Sequence, residues 1–189
     1  LEFRRVLFRS GFAKLREFEL ESSTDTRAVF LLAGEAAKDA GFPYEYEFRV
    51  KYVLRGNRLE VSYIVTNLDE KTMYYGIGAH EAYATPEGIE KYYAVFDETE
   101  SLKSNVLHGN LLGHETIDLT HDSDTLPLKY EYFAVDAIVL RNVNSRAVTL
   151  RSSLNDRAVR VEFPGFDYLL FWTKPGAPRS EERRVGKEC

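Results

Sequence analysis

The chain of 189 residues is long enough to form one domain with a substantial hydrophobic core, and its formal net charge of -5 argues against a nucleic-acid partner bound through phosphates. No apolar run approaches the roughly 20 residues that cross a bilayer, so we expect no membrane partner and a cytoplasmic location. Aromatic residues make up 13% of the chain, which favours twisted β-sheets, and the single Cys189 excludes an intrachain disulfide.

The two ends of the chain differ in character from the rest. Residues 1–10 (LEFRRVLFRS) and 179–189 (RSEERRVGKEC) resemble translated sequencing-adapter DNA. The string CTCTTCCGATCT encodes the Leu-Phe-Arg-Ser that ends the first segment, and its reverse complement, AGATCGGAAGAG, encodes the Arg-Ser-Glu-Glu that begins the last. The alternative is a basic strand at the start and a solvated charged tail at the end. We predict that both segments are adapter-derived and lie outside the core, and that residues 11–178 form a single β-sandwich domain.

The first predicted element is a β-hairpin. Between residues 44 and 54, aromatic and aliphatic side chains alternate strictly with Glu, Arg and Lys, which predicts a strand with one wet face. Gly56 and Asn57 interrupt this pattern, and it resumes over residues 59–65. Because Gly and Asn both tolerate positive φ, the Gly-Asn pair between two alternating runs predicts a tight turn.

The later part of the chain predicts more short strands. Residues 148–151 and 159–163 alternate in the same way on either side of Asn155-Asp156, which indicates a second hairpin. Further strand candidates are residues 27–32, 72–77, 92–96, 136–140 and 168–172. Residues 98–126 are polar and weakly patterned, which predicts loops with at most one short strand. Short strands without a long helical period favour an all-β fold, a large antiparallel β-sandwich.

Three side chains are candidates for a functional site. His80 ends the predicted strand around residues 72–77 among Gly and Ala neighbours, where small residues allow close approach of the backbone to a ligand; a structural or solvated histidine is the alternative. Asp136 opens an apolar strand and would either bind a ligand or cap a turn. Trp172 would either stack on a ligand or fill the core.

The other histidines predict no metal site. His108, His114 and His121 lie in the polar stretch near Asp118 and other acidic residues, but their spacing matches no helical metal motif such as HExxH. We therefore expect them to be solvated loop residues and expect no metal ligand in the chain.

Four motifs in chain order resemble the aldose 1-epimerase family, in its LacX-like branch. Residues 43–67 followed by MYYGIGAHEAY (73–83) resemble a hairpin that precedes a strand ending in an IGGHPAF-like motif. Residues 136–150 resemble a DALIF…S..V.L stretch, and 163–178 (FPGFDYLLFWTKPGAP) resemble the penultimate strand and loop. GFAK (11–14) resembles the end of an HGFAR motif.

The resemblance implies a galactose mutarotase-like sandwich that interconverts the α and β anomers of a free hexose. In the family a carboxylate base removes the O1 proton while a histidine acid protonates the ring oxygen, and the opened ring recloses from the other face. No cofactor is implied, and the partner is a small-molecule sugar. By this resemblance His80 matches the acid, Asp136 matches the carboxylate that holds sugar hydroxyls, and we assign Trp172 and Lys14 to substrate binding as well.

Departures from the family pattern imply an incomplete and inactive chain. The family base is the Glu of an FxCIEPW-like string that follows Ala177-Pro178, where this chain has Arg179 and Ser180. Glu81 also replaces the usual proline after the acid, and Lys14 stands where Arg is usual. Two rivals remain: a non-catalytic carbohydrate-binding or sugar-sensing module on the same fold, and a sugar-phosphate epimerase, which would need convergent arginines.

Overall fold

A computed structural model of the chain describes residues 12–34, 42–108, 111–134 and 136–174, together with the backbone of Glu182–Glu188. These residues fall into two compact units that meet in sequence between Tyr75 and Gly76. The single domain expected over residues 11–178 stays a prediction. In the described part of the chain, no helix is both long enough and apolar enough to cross a membrane.

Antiparallel β-strands account for most of both units, as the alternating patterns predict, so the fold is all-β. The strands, in chain order, are β1 (Glu19–Thr24), β2 (Arg27–Gly34), β3 (Tyr46–Arg55), β4 (Arg58–Asn67), β5 (Gly78–Ala84), β6 (Tyr92–Glu100), β7 (Lys103–His108), β8 (Leu111–Asp118), β9 (Ser123–Pro127), β10 (Ile138–Arg141), β11 (Ala147–Ser152), β12 (Ala158–Glu162), β13 (Tyr168–Trp172) and β14 (Glu182–Glu188). Short 3-10 helices occur at Phe12–Leu15, Ile89–Lys91 and Tyr130–Phe133.

The first unit is a four-stranded sheet in the order β1-β2-β3-β4. Directly paired residues share a face, so Phe30, Val50 and Tyr63 lie in one row across it. The opposite face carries charge: Arg49 forms ion pairs with Glu47 at 2.6 Å and with Glu21 at 2.9 Å. The strict alternation of the sequence therefore predicts the two faces of this sheet correctly.

One end of the apolar face is closely packed. The Tyr46 side chain is 3% exposed, and its ring lies 5.2 Å from that of Phe42 and 6.1 Å from that of Phe12. Gly34 pairs with Tyr46, and a Cβ added at Gly34 would meet the Tyr46 ring at 1.8 Å. Any larger residue at this position would overlap the buried Tyr46 ring, so the close approach of the two strands here requires glycine.

The second unit consists of two sheets that share one hydrophobic core. The six-stranded sheet has the order β5-β14-β13-β10-β7-β8, and the four-stranded sheet has the order β12-β11-β6-β9. Side chains from β10 and β13 of the six-stranded sheet pack with side chains from β6, β9 and β11 of the four-stranded sheet. The buried members of this core are Ile89, Tyr92, Ala94, Phe96, Leu102, Leu126, Leu128, Phe133, Ile138, Leu140, Val143, Val148, Leu150, Phe163, Leu169 and Phe171. This arrangement is a β-sandwich.

The end of the chain joins the six-stranded sheet. The backbone of Glu182–Glu188 pairs antiparallel with β13 on one side and with β5 on the other. This backbone pairing does not test the expectation that residues 179–189 lie outside the core, because main-chain hydrogen bonds form without regard to side-chain pattern. The adapter origin of the two ends stays a prediction, and residues 1–11 lie outside the described part of the chain.

Two segments differ from the sequence-based prediction. Residues 72–77 form no strand, and the strand that carries His80 instead begins at Gly78. Residues 98–126, expected to be loops with at most one short strand, contain β7, β8 and β9. Leu102 and Leu126 are almost fully buried there, but the polar residues between them hide the pattern.

Candidate functional site

His80 lies in the middle of β5, on the exposed face of the strand. The alternate residues Glu81 and Tyr83 turn inward, and Tyr83 packs against the core of the second unit. Burial, with a smaller contribution from the Glu81 carboxylate, raises the pKa of Tyr83 to about 12, so its hydroxyl stays protonated at neutral pH. The His80 imidazole of β5 therefore lies on the exposed face of the strand, while Tyr83 packs the strand against the core.

Trp172, the last residue of β13, lies on the same face of the sheet as His80. Trp172 pairs with Arg184 of β14, and Arg184 pairs with Ala82 of β5. Directly paired residues share a face of the sheet, and so do residues two apart on one strand, such as Ala82 and His80. Two strand spacings across and two residues along separate their Cα atoms by about 12 Å. Trp172 is only half-buried, so part of its ring surface is accessible.

Asp136 lines a different cleft. It precedes β10 by two residues, is half-buried, and borders a cavity of about 340 Å³ together with Asn105 and Tyr132. Buried Leu107 and Ile138 contribute apolar surface to the lining, and Asp136, Asn105 and Tyr132 contribute a carboxyl, an amide and a phenol group. Such a lining suits a small polyhydroxylated ligand.

The structure brings His80 and Trp172 onto one face but does not bring His80 into the cleft of Asp136. The row of paired residues through His80 reaches β10 at Val139, three strand spacings away, which is about 14 Å. Lys14 lies exposed in the 3-10 helix Phe12–Leu15 of the first unit, apart in sequence from the other candidates. The assignment of these four residues to one site stays a prediction.

Asn105 and Tyr132 line the cleft of Asp136, and neither is among the candidates that the sequence predicts. Asn105 lies on β7, in a stretch whose sequence predicts loops, and its side-chain amide donates to the Gly113 carbonyl at 3.1 Å across the β7–β8 hairpin. Tyr132 lies in a 3-10 helix close in sequence to Asp136. The proximity of Tyr132 to Asp136 in sequence was a usable signal; no local pattern points to Asn105.

A second cleft, of about 380 Å³, lies at the β11–β12 turn and is lined by Tyr93, Arg151, Asn155, Asp156 and Arg157. The two arginines are exposed, and Asp156 lines the same cleft. Only the hairpin fold brings them to one cleft, so their sequence spacing alone does not reveal it.

Of the three histidines expected in loops, His108 and His114 lie on strands β7 and β8, and His121 lies between β8 and β9. His108 and Glu115 approach to 3.0 Å across the β7–β8 hairpin, and His121 approaches its neighbour Asp122 at 3.2 Å. Within the described ranges, no group of three or more histidine, cysteine or acidic side chains could hold a metal ion.

Comparison with known proteins defines the class to which this sandwich belongs. The sequence profile of the aldose 1-epimerase family matches residues 9–187, and the chain therefore belongs to that family. The LacX proteins of Lactococcus lactis subsp. lactis, plasmid and chromosomal, are each 36% identical to it over 179 residues, which cover 90% of this chain and 60% of the relative. The chain thus spans about three fifths of the length of these curated relatives.

Solved structures show the same fold. A galactose mutarotase related enzyme from Lactobacillus acidophilus superposes with a TM-score of 0.83 at 24% identity, over 94% of this chain and 61% of that chain. A galactose mutarotase-like protein from Lactobacillus casei ATCC 334 gives 0.79 at 23% identity, over 91% and 60%. Both likenesses agree with the sandwich expected from the sequence.

Proposed function

We propose that the protein from which this chain derives interconverts the α and β anomers of a free hexose, with His80 as its general acid. The observation that carries the proposal is the family match over residues 9–187, which spans the His80 strand and the Asp136 and Trp172 segments. The exposed position of His80 in the middle of β5 supports it, because a general acid must reach a bound ligand.

The chemistry requires two proton transfers. A carboxylate base takes the proton from the sugar O1 while the His80 imidazolium protonates the ring oxygen, which breaks the C1–O5 bond and leaves an open-chain aldehyde. Rotation about C1–C2 and reclosure return both protons and give the other anomer. A positioned acid or base contributes about 10²–10⁴-fold to the rate of such a reaction.

Asp136, Trp172 and Lys14 complete the proposal as substrate-binding residues. The polar residues that line the cleft with Asp136 support a role in holding hydroxyl groups, because carboxylate and amide oxygens accept hydrogen bonds from sugars. The accessible part of the Trp172 ring, on the face of His80, supports stacking against the apolar face of a pyranose.

We further propose that this chain alone does not catalyse mutarotation. The family base is expected just after Pro178, where the chain reads Arg179-Ser180, and an unpartnered acid provides only part of the rate advantage. The test is polarimetry of freshly dissolved α-glucose and α-galactose, with this chain and with a version in which the family's FxCIEPW-like segment, with its Glu, follows Pro178. We expect acceleration only by the extended chain. Equal acceleration by both would show that the base lies elsewhere.

A non-catalytic sugar-binding module is the second candidate, and one observation favours it: the cleft that holds Asp136 does not include His80. Titration of the chain with glucose, followed by backbone NMR shifts, separates the two. Shifts at Asn105, Tyr132 and Asp136 without shifts at β5 support a binding module. Shifts at both places support the enzyme.

A further inference from the structure

The space between β13 and β5 is bridged by a single strand. All seven residues of β14 pair with β5, from Glu182 opposite Ala84 to Glu188 opposite Gly78, and three of them also pair with β13. In the described sheet, β5 lies at the end of the strand order and has β14 as its neighbour. The β14 backbone therefore joins β5 to the rest of the sheet.

The sequence of β14 does not explain its place. Glu-Arg-Arg-Val-Gly-Lys-Glu holds five charged residues, one valine and one glycine, and lacks the period-two apolar pattern of a strand that belongs in a sheet interior. Glycine in a strand interior also weakens it. The side chains of this segment therefore do not explain why it lies between β13 and β5. Main-chain pairing does, because the N–H and C=O groups along the edges of two neighbouring strands can pair with any extended backbone.

The side chains of β5 hold it only weakly. Three of its seven residues are alanine and one is glycine, and Tyr83 is the large hydrophobic residue that reaches the core. The free energy gained by burying one tyrosine is small compared with the conformational entropy that a seven-residue strand loses when it is ordered. Main-chain pairing with the strand beside it is therefore the chief attachment of β5.

We propose that the space between β13 and β5 is a strand-accepting slot, which binds an extended peptide antiparallel to both neighbours through its main chain and so fixes β5. Residues 182–188 fill it in this chain, and a free extended peptide of about seven residues without proline takes the same place when that segment is weakened. This is recognition by β-strand addition, in which main-chain bonds supply the affinity. The slot depends on pairing alone; that its occupancy also positions a catalytic acid rests on the proposed function of His80.

Hydrogen exchange of the full chain tests the slot. Val185 pairs with Glu81 on one side and Phe171 on the other, so Val185→Pro removes a main-chain donor at the middle of the segment, whereas Val185→Ala keeps it. We expect Val185→Pro to raise the exchange rates of the β5 amides at least tenfold while the β11–β12 hairpin stays protected, and Val185→Ala to leave both unchanged. The free peptide Glu-Arg-Arg-Val-Gly-Lys-Glu at millimolar concentration should restore protection of β5 in the proline variant.

Three outcomes overturn the proposal: β5 stays protected in Val185→Pro, β5 loses protection equally in Val185→Ala, or the peptide fails to restore it.

If the proline variant unfolds throughout, a disulfide trap decides instead. Ala79 pairs with Lys187, so cysteines at these two positions, with Cys189→Ser, should form an intramolecular disulfide, because antiparallel partners lie within disulfide range. A control with cysteines at Ala79 and Glu188 places the thiols on opposite faces and should stay reduced. Equal oxidation of both pairs, or of neither, contradicts the slot.

Discussion

At the scale of single residues, a buried carboxylate holds the connection between β10 and β11. Glu100 is 4% exposed and accepts hydrogen bonds from the Ser145 backbone and hydroxyl, both at 2.7 Å, and from the Asn144 side chain at 3.2 Å. The Ser145 hydroxyl in turn accepts from the Glu98 backbone at 3.0 Å. A buried charge is tolerated here because several donors surround it.

We predict that Glu100→Ala lowers the free energy of unfolding by about 3 kcal/mol, since it leaves the buried backbone and hydroxyl donors of Ser145 without an acceptor. Glu98→Ala on the same strand, where the side chain is exposed, should change it by no more than about 0.5 kcal/mol. Urea denaturation followed by the fluorescence of the single Trp172 measures both. Equal stability of the two variants would contradict a structural role for Glu100.

A surface ion pair spans three strands of the four-stranded sheet. Arg160 of β12 donates two hydrogen bonds to Asp97 of β6, at 2.6 and 2.8 Å, across the intervening β11. These bonds hold the pKa of Asp97 below its ordinary value of 3.8. A depressed carboxylate pKa stabilises the fold above the ordinary value, and this contribution disappears as the pH falls through the folded-state pKa.

We predict that Arg160→Gln raises the pKa of Asp97 toward its ordinary value, because the charged donor is gone. Arg151→Gln removes a positive charge from the neighbouring strand β11 but none of the bonds to Asp97, and should leave that pKa nearly unchanged. NMR titration of the Asp97 carboxyl carbon measures both variants. A pKa that stays depressed in Arg160→Gln would show that another group sets it.

At the scale of elements, the β3–β4 turn places a special demand on one residue. Gly56 has a φ of +61°, and no atom outside its immediate chain neighbours lies within 4 Å of the place a Cβ would take. Asn57, the other turn residue, is not among the described residues with positive φ. The sequence suggested positive φ for both, but the turn requires it only of Gly56.

We predict that Gly56→Ala lowers the opening free energy of the β3–β4 hairpin by about 1–2 kcal/mol through backbone strain, although the added methyl group meets no clash. Asn57→Ala should cost much less. Native-state hydrogen exchange of the β3 and β4 amides gives both values, and equal effects at the two positions would contradict the assignment of the strain to Gly56.

The strands that could be predicted are those whose own sequence alternates. The β3–β4 and β11–β12 hairpins were found because each has a wet and a dry face and a local turn signal. The β7–β8 hairpin could not be found in this way. Its second strand, β8, is largely exposed, and its first strand, β7, pairs with β10, which is distant in sequence. Residues 72–77 contain the right residue types for a strand, but the described structure gives them no strand partner.

At the scale of the whole molecule, sequence resemblance could name the candidate site residues but not their arrangement. His80, Asp136 and Trp172 lie on three separated segments, and only sheet order decides how far apart they are. The order β5-β14-β13-β10 places Trp172 two strands from His80 and the β10 end near Asp136 three strands away. Such long-range pairing has no local signature in the sequence.

The central claim is that His80 is the general acid of an aldose 1-epimerase, and it is tested in a version of the chain in which the family's FxCIEPW-like segment, with its Glu, follows Pro178. The measurement is the polarimetric rate of α-galactose mutarotation by that protein, by His80→Ala and by the matched control His108→Ala, which removes an exposed histidine paired with Glu115. We predict a loss of at least about 10²-fold for His80→Ala and no loss for the control. An unchanged rate in His80→Ala would contradict the assignment.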